Sequence, residues 1–255
     1  MTHLQRWDRR SAALLERSCL PCLSYKITGA YPHDPTAFTQ GLFLHAGFLY
    51  ESTGWWGRSS VRKVRLTDGA ILERAPLPEI HFGEGLAAWG DQLVSLTWRD
   101  RVGYRWSLSD LRPLGTFTCP AEAWGMTQNG EHLIVSDGSP VIRFLNPLTL
   151  EVDRTIRVRA RGSDLPYCND LEWVNNEIWA NVFETGLIAR IDPRSGSVLG
   201  WLDLFPFCLE WGTTLQSVLN GLAYDGATGR LFVTGKNWPL LLELTFDHTA
   251  LGAAP

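Results

Sequence analysis

Phe38-Thr39-Gln40-Gly41-Leu42, Phe82-Gly83-Glu84-Gly85-Leu86, Ala123-Trp124-Gly125-Met126, Cys168-Asn169-Asp170-Leu171 and Leu219-Asn220-Gly221-Leu222 are five versions of one strand opening. The Gly or Asp that recurs at 41, 85, 125, 170 and 221 sets a period of about 40 to 50 residues, which among repeat architectures belongs to β-propeller blades. The residue before it changes from copy to copy: Gln40, Glu84, Trp124, Asn169, Asn220. Stacked around an axis, these five side chains converge.

Each copy continues in the same order: a tight turn, a second strand, a polar break, then one or two more strands. In the first copy Thr67-Asp68-Gly69 lies between two alternating runs, and Asp-Gly in that setting is a hairpin signal. Four strands per repeat make a propeller blade. The fifth copy, residues 221–246, holds only three, while residues 23–30 before the first copy read as an unassigned strand. Placing that strand outermost in the last blade closes the ring and leaves no unpaired edge. The expectation is an all-β, five-bladed β-propeller closed by an N-terminal strand, with an extension over 1–23, a single domain over 24–246 and a tail over 247–255. The only helical stretch expected is 209–219, a turn or two in a connection.

Composition narrows the function. A net charge of −4 and a pI near 5.9 give no basic stripe for nucleic acid or an anionic membrane, and no apolar run is long enough to span a bilayer. A monomer without nucleic-acid or membrane partners is expected. The apolar core of residues 1–23 is too short for a signal peptide, which favours the cytoplasm. Five Cys, three of them near strands, fit free thiols in a reducing compartment, and Cys19-Leu20-Pro21-Cys22 has no βαβ context for redox chemistry. Twelve Trp exceed what a core of this size needs and suit a stacking site. Trp89, Trp173 and Trp179, inside strands, read as core; Trp55, Trp56 and Trp238, in loops, read as either rim or packing.

The channel mouth carries two rings. The variable residues form the first, in which Glu84 is the single carboxylate, set among amides and Trp124. A buried carboxylate with neutral neighbours has a raised pKa and can shuttle protons near neutral pH. The polar breaks form the second, which adds Lys236, Trp98 and Phe183. Together they make a compact pocket for a small polar group, although polar channel lining bound to water is a sufficient reading of the first ring alone.

Seven motifs in order carry a resemblance: those around Gln40, Glu84, Trp124 and Asn169, then Ile178-Trp179-Ala180-Asn181, Leu219 to Asp225, and Thr234-Gly235-Lys236-Asn237-Trp238-Pro239. Over roughly residues 25–246 the chain resembles the glutamine cyclotransferases of plant and bacterial type, five-bladed propellers that convert N-terminal glutamine of peptides to pyroglutamate with release of ammonia. The resemblance implies Glu84 as the acid-base residue, Asn169 and Gln40 as amides on the scissile γ-carboxamide, and Lys236 as an aid to its polarisation. Phe38, Trp98, Trp124 and Phe183 would form the aromatic wall. It implies no cofactor and no metal, and neither ring has His- or Cys-rich ligand spacing.

Two positions depart from the family pattern. Phe183 stands where a Trp is usual, which keeps a ring and loses an indole N–H, and Asp170 stands where Glu is common. The family is also mostly exported, so the resemblance leaves a periplasmic or secreted location open. Other classes remain at this point: a glycoside hydrolase needs a carboxylate pair, a lactonase needs cation ligands that Asp137, Asn169 and Asn220 could supply but Lys236 would oppose, and a scaffold would leave the channel bland.

Overall fold

The short alternating runs fold as antiparallel strands, and the computed structural model describes residues 1–247. Helix α1 (His3–Ser18) and strand β1 (Tyr25–Pro32) come first. Blade one is β2–β5 (Thr39–His45, Phe48–Thr53, Ser60–Arg65, Ile71–Pro76) and blade two is β6–β9 (Gly83–Trp89, Gln92–Thr97, Val102–Ser107, Pro113–Thr118). Blade three is β10–β13 (Met126–Gln128, Leu133–Val135, Val141–Leu145, Val152–Arg157), trailed by a two-residue hairpin, β14 and β15 (Arg159–Ala160, Ser163–Asp164). Blade four is β16–β19 (Cys168–Val174, Glu177–Val182, Leu187–Ile191, Val198–Asp203); helix α2 (Phe205–Trp211) then leads to β20–β22 (Leu219–Asp225, Arg230–Gly235, Leu240–Phe246).

The last sheet has the order β1-β22-β21-β20. Its outermost strand therefore comes from the N-terminal side, with Tyr25 opposite Phe246 and Pro32 opposite Leu240. The inner strands touch in the cyclic order β2, β6, β10, β16, β20, so the five blades close on themselves. Burial falls from axis to rim. β17 is buried along its whole length, whereas β9 has one half-buried residue and is otherwise exposed.

The recurring glycine has a steric cause. A Cβ on Gly85 would lie 2.4 Å from the amide nitrogen of Met126, and one on Gly125 would lie 2.0 Å from the carbonyl oxygen of Asn169. Neighbouring inner strands approach the axis so closely that no side chain fits between their backbones.

Two expectations need correction. The stretch expected at 209–219 is not the only helix, because α1 occupies most of residues 1–23, begins with a capping box between Thr2 and Gln5, and packs on blades four and five. Trp7 is fully buried in the core with Leu204 and Cys208, the Ser11 hydroxyl accepts from Gly186 N at 3.1 Å, and Trp201 Nε1 donates to the Ser18 hydroxyl at 3.0 Å. The helix hides from pattern reading because its buried residues are Trp7, Ser11 and Ser18, an inward face too polar to give an apolar period. The second helix is α2, which starts four residues earlier than expected, has Pro206 in its first turn and ends at Trp211; residues 213–217 form a turn instead. Of the expected tail, only Asp247 falls within the described residues. Among those residues no helix is long and apolar enough to cross a membrane.

Gly125→Ala should lower unfolding free energy by about 3 kcal/mol or more, since backbone must move to admit the methyl group. Gly90, at φ +60° with open space around it, should cost only about 1 kcal/mol as alanine. Urea unfolding of the two variants decides, and equal losses would contradict the close approach at the axis.

Candidate active site

The side chains that differ between repeats reach the channel mouth through a shared backbone irregularity. Pairing of each inner strand with its second strand shifts register between Thr39 and Gly41, Gly83 and Leu86, Cys168 and Leu171, and Leu219 and Leu222. A bulge leaves residues unpaired and re-aims a side chain. Gln40, Glu84, Asn169 and Asn220 all sit in these shifts, and Trp124 immediately precedes Gly125 and the start of β10.

Gln40, Glu84, Trp124 and Asn169 line a pocket of about 390 Å³, together with Phe38, Trp98, Phe183 and Lys236. All eight residues singled out in the sequence are thus brought to one cavity. Asn220 is not among them. It is fully buried, its Nδ2 donates to Thr39 O at 2.9 Å and its Oδ1 accepts from Asp170 N at 3.4 Å, so it serves the channel. Asp137, a conceivable cation ligand, is engaged by Arg143 and by Ser139.

The pocket also takes in Phe82, Trp55, Trp56, Leu215 and Gln216, which sequence reasoning left unassigned. Phe82 stands two residues before Glu84 as Phe38 stands two before Gln40, so the repeat alignment carried the signal for it. Trp55 and Trp56 are wall; Trp238 is core, fully buried, with Nε1 donating to Ser217 O at 3.0 Å. Trp179 is fully buried, while Trp89 and Trp173 are only half-buried against the core. Glu122 was also missed, and no motif marks it. Its Oε1 accepts from the indoles of Trp98 at 2.6 Å and Trp124 at 3.1 Å, which ties two walls of the pocket to one carboxylate.

The cation is held by its turn. Lys236 N donates to Val218 O at 2.9 Å and Asn237 N to Ala37 O at 2.7 Å, so the Lys236 loop is fastened to the segment that leads into Gln40. Its Nζ lies 4.7 Å from the Phe38 ring centre and 5.7 Å from that of Phe183, within cation–π range.

Burial dominates the electrostatics. It raises the Glu84 pKa well above the usual carboxylate value; Lys236 opposes this, and the nearby Glu122 and Asp170 add to it. Burial likewise lowers Lys236 to about 8, against the pull of Glu84 and Asp170. Asp170 itself is raised well above its usual value by burial, partly offset by the Leu222 N–H bond. Gln40 Oε1 and Asn169 Oδ1 are buried without a hydrogen-bond partner among the described residues. Such acceptors are costly, and a ligand with N–H groups would satisfy them. The pocket therefore combines one carboxyl group, one ammonium group and two buried primary amides inside an aromatic box, a set suited to proton transfer and to polarising a small carbonyl. Among the described residues no cluster of three or more His, Cys, Asp or Glu could hold a metal ion.

Comparison with known proteins bears on the family and the fold. The sequence profile of the glutamine cyclotransferase family matches residues 4–246. A glutaminyl-peptide cyclotransferase of Arabidopsis thaliana is 41% identical over 231 residues, which cover 88% of this chain and 72% of the plant protein. The crystal structure of a Myxococcus xanthus glutaminyl cyclase superposes with a TM-score of 0.82 at 33% identity, covering 88% of this chain and 96% of that one.

Lys26, Lys63 and Lys236 are the three lysines of the chain, so Nζ resonances of lysine-labelled protein are readily assigned. One of them, absent from Lys236→Met, should titrate at about 8. Titration of the Lys236 signal near the 10.5 of a free lysine would contradict a desolvated pocket.

Proposed function

The chain belongs to the glutamine cyclotransferase family and is a glutaminyl-peptide cyclotransferase, and we propose that Glu84 moves the proton in its reaction without the help of a metal ion. The observation that carries this reading is Glu84 itself, a buried carboxyl with a raised pKa at the centre of the aromatic box.

The N-terminal glutamine of a peptide folds back inside the pocket. Its free α-amine attacks the γ-carboxamide carbon, a nitrogen–carbon bond forms, and a tetrahedral carbon results. Glu84 takes a proton from the attacking nitrogen and delivers it to the departing amide nitrogen, so the carbon–nitrogen bond breaks with loss of neutral ammonia and the lactam remains. A carboxyl whose pKa burial has raised well above the usual carboxylate value can serve in both directions. Most of the rate gain comes from holding amine and amide in the ring-closing conformation, since intramolecular reactions of this kind have high effective molarity.

Asn169 and Gln40 supply the amide contacts. Their NH₂ groups donate to the carbonyl oxygen as it gains charge, and their unpartnered buried oxygens accept from the substrate's own N–H groups. Lys236, charged below about pH 8, adds positive potential on the same oxygen. Phe38, Trp98, Trp124 and Phe183, with Phe82 beside them, pack on the aliphatic stem and keep water out. A cation cofactor suits this set poorly, because Lys236 already fills the cationic role and the remaining buried donors are one carboxyl group and two amides.

A Gln-initiated peptide should lose the mass of one ammonia on incubation, and chelator treatment should leave the rate unchanged. Glu84→Gln should reduce kcat by about 10²- to 10⁴-fold with the fold intact; a folded variant that cyclises at the wild-type rate would refute the shuttle. The pH profile of kcat follows from the two shifts. It should rise as Glu84 loses its proton, at a pH above the usual carboxylate range, and fall as Lys236 loses its own at about 8. Lys236→Arg should carry the falling limb to higher pH, and a limb that stays in place would assign it to another group.

A further inference from the structure

Next to the pocket, beyond Phe38 and Trp55, a groove of about 680 Å³ opens; it shares Phe38, Trp55 and Gln216 with the pocket and is lined further on by Arg58, Arg62 and Arg74. We propose that this groove binds a carboxylate carried by the peptide chain shortly after its N-terminal glutamine, so that the enzyme prefers substrates acidic at the second to fourth positions. The proposal rests on the cyclotransferase reading, which places the glutamine head in the pocket.

Geometry supplies the first reason. With the α-amine and γ-amide turned inward, the glutamine carbonyl carries the rest of the peptide out through the mouth, and one way out runs across Phe38, Trp55 and Gln216, the residues that the pocket and the groove share. An extended chain advances about 3.3 Å per residue, so three residues span roughly the width of one aromatic wall and the groove beyond it.

Charge supplies the second. Arg62 is neutralised within the fold, with Nη1 at 2.7 Å from Asp34 Oδ2 and 3.7 Å from Glu51 Oε2. Asp34 is equally committed, since its Oδ1 accepts from Thr36 N at 2.9 Å and from the Thr36 hydroxyl at 2.7 Å. Arg58 and Arg74 are exposed, and among the described residues neither is within ion-pair distance of a carboxylate. Arg58 lies 5.8 Å over the Trp55 ring, and Arg74 Nη2 reaches only the Arg58 carbonyl, at 3.4 Å. Two uncompensated guanidinium groups thus line the groove next to the pocket in a protein whose net charge is −4. Guanidinium pairs favour carboxylates through charge-assisted, bidentate hydrogen bonds.

Backbone strain supplies the third. Trp55 has φ +102°, a conformation a bulky residue adopts only when its surroundings impose it. Its carbonyl accepts from Arg58 N at 3.0 Å, Ser59 N at 2.9 Å and the Ser59 hydroxyl at 2.8 Å, and that hydroxyl accepts in turn from Gly83 N at 2.9 Å. One tight turn therefore fixes both the pocket wall and Arg58, and ties them to the strand that carries Glu84.

The test compares C-terminally amidated peptides Gln-Gly-Glu-Gly and Gln-Gly-Lys-Gly, with glutamine amide as a substrate too short to reach the groove. At low ionic strength the wild type should favour the glutamate peptide in kcat/KM by about 1.5- to fivefold, the range expected of an exposed ion pair, and molar salt should erase the preference. Arg58→Gln with Arg74→Gln should abolish it, Arg58→Glu with Arg74→Glu should reverse it, and both doubles should turn over glutamine amide at the wild-type rate. A gain on leaving Gln-Gly-Gly unamidated would show that a terminal carboxylate also reaches the groove. Equal kcat/KM for the two charged peptides at low salt, or a preference that survives both doubles, would overturn the subsite while glutamine amide turnover leaves the catalytic reading standing. Failure to turn over glutamine amide would instead count against the catalytic reading, and tryptophan-fluorescence titration with the two charged peptides would then decide the groove by itself.

Discussion

Five inner strands meet at the axis, and the backbone groups that face one another there cannot all pair as a continuous sheet. Every buried N–H or C=O left over needs a partner, and side chains reaching between blades provide many of them. Asp170 Oδ2 accepts from Leu222 N at 2.9 Å and Glu172 Oε1 from Tyr224 N at 2.7 Å, which joins blade four to blade five. Asn181 Oδ1 accepts from Gly221 N at 3.2 Å between the same blades, and Asn220 Nδ2 joins blade five to blade one. Ser52 Oγ donates to Glu84 O, Gly85 N to Trp124 O at 2.6 Å, and Ser136 Oγ to Asn169 O at 2.8 Å. Three of those carbonyls belong to residues whose side chains line the pocket. The bonds that close the ring are also the bonds that aim the site.

This arrangement explains the unusual company of ionisable groups in the channel. Glu84, Asp170 and Glu172 are each buried, and each has a pKa raised first of all by that burial. Glu172, pushed up to about 8, is satisfied by Tyr224 N and by the Thr127 hydroxyl at 3.2 Å, so its polar atoms are used in holding blades together. Asp170 is half satisfied: Oδ2 is bonded, whereas Oδ1 has no partner among the described residues. Among the described residues Glu84 has no side-chain hydrogen-bond partner, and it meets the cavity. Along one channel the same residue chemistry passes from structural to reactive as backbone partners give way to open space.

Much of the ring was legible because its cause is local and repeated. Gly41, Gly85 and Gly125 recur where strands nearly touch, the bulge displaces Gln40, Glu84 and Asn169 into the channel, and Trp124 holds the equivalent place just ahead of β10, so aligning the copies brought out all four together. Asn220 occupies the equivalent place and still fails to reach the pocket, since its amide bridges Thr39 and Asp170; a repeat reveals position but not which partner a side chain finds. Lys236 and Phe183 were legible through the polar breaks and the family resemblance. Glu122, Leu215 and Gln216 lie in connections whose approach to the mouth depends on tertiary packing, and no spacing announces it. Helix α1 escaped for a different reason. Its inward face joins Trp7 to Ser11 and Ser18, and the serines serve as hydrogen-bond partners to Gly186 and Trp201 where an apolar stripe would be sought.

The account rests on a carboxyl at position 84 that the fold keeps protonated beyond its ordinary range until substrate arrives. Isotope-edited infrared difference spectra between the wild type and Glu84→Gln, followed across pH, report that proton directly through the carbonyl stretch of the neutral acid. The predicted result is a Glu84 band that persists to a pH well above 4.5 and shifts when a glutamine substrate analogue enters the pocket. A band that vanishes around 4.5, as for a carboxyl in water, would contradict it.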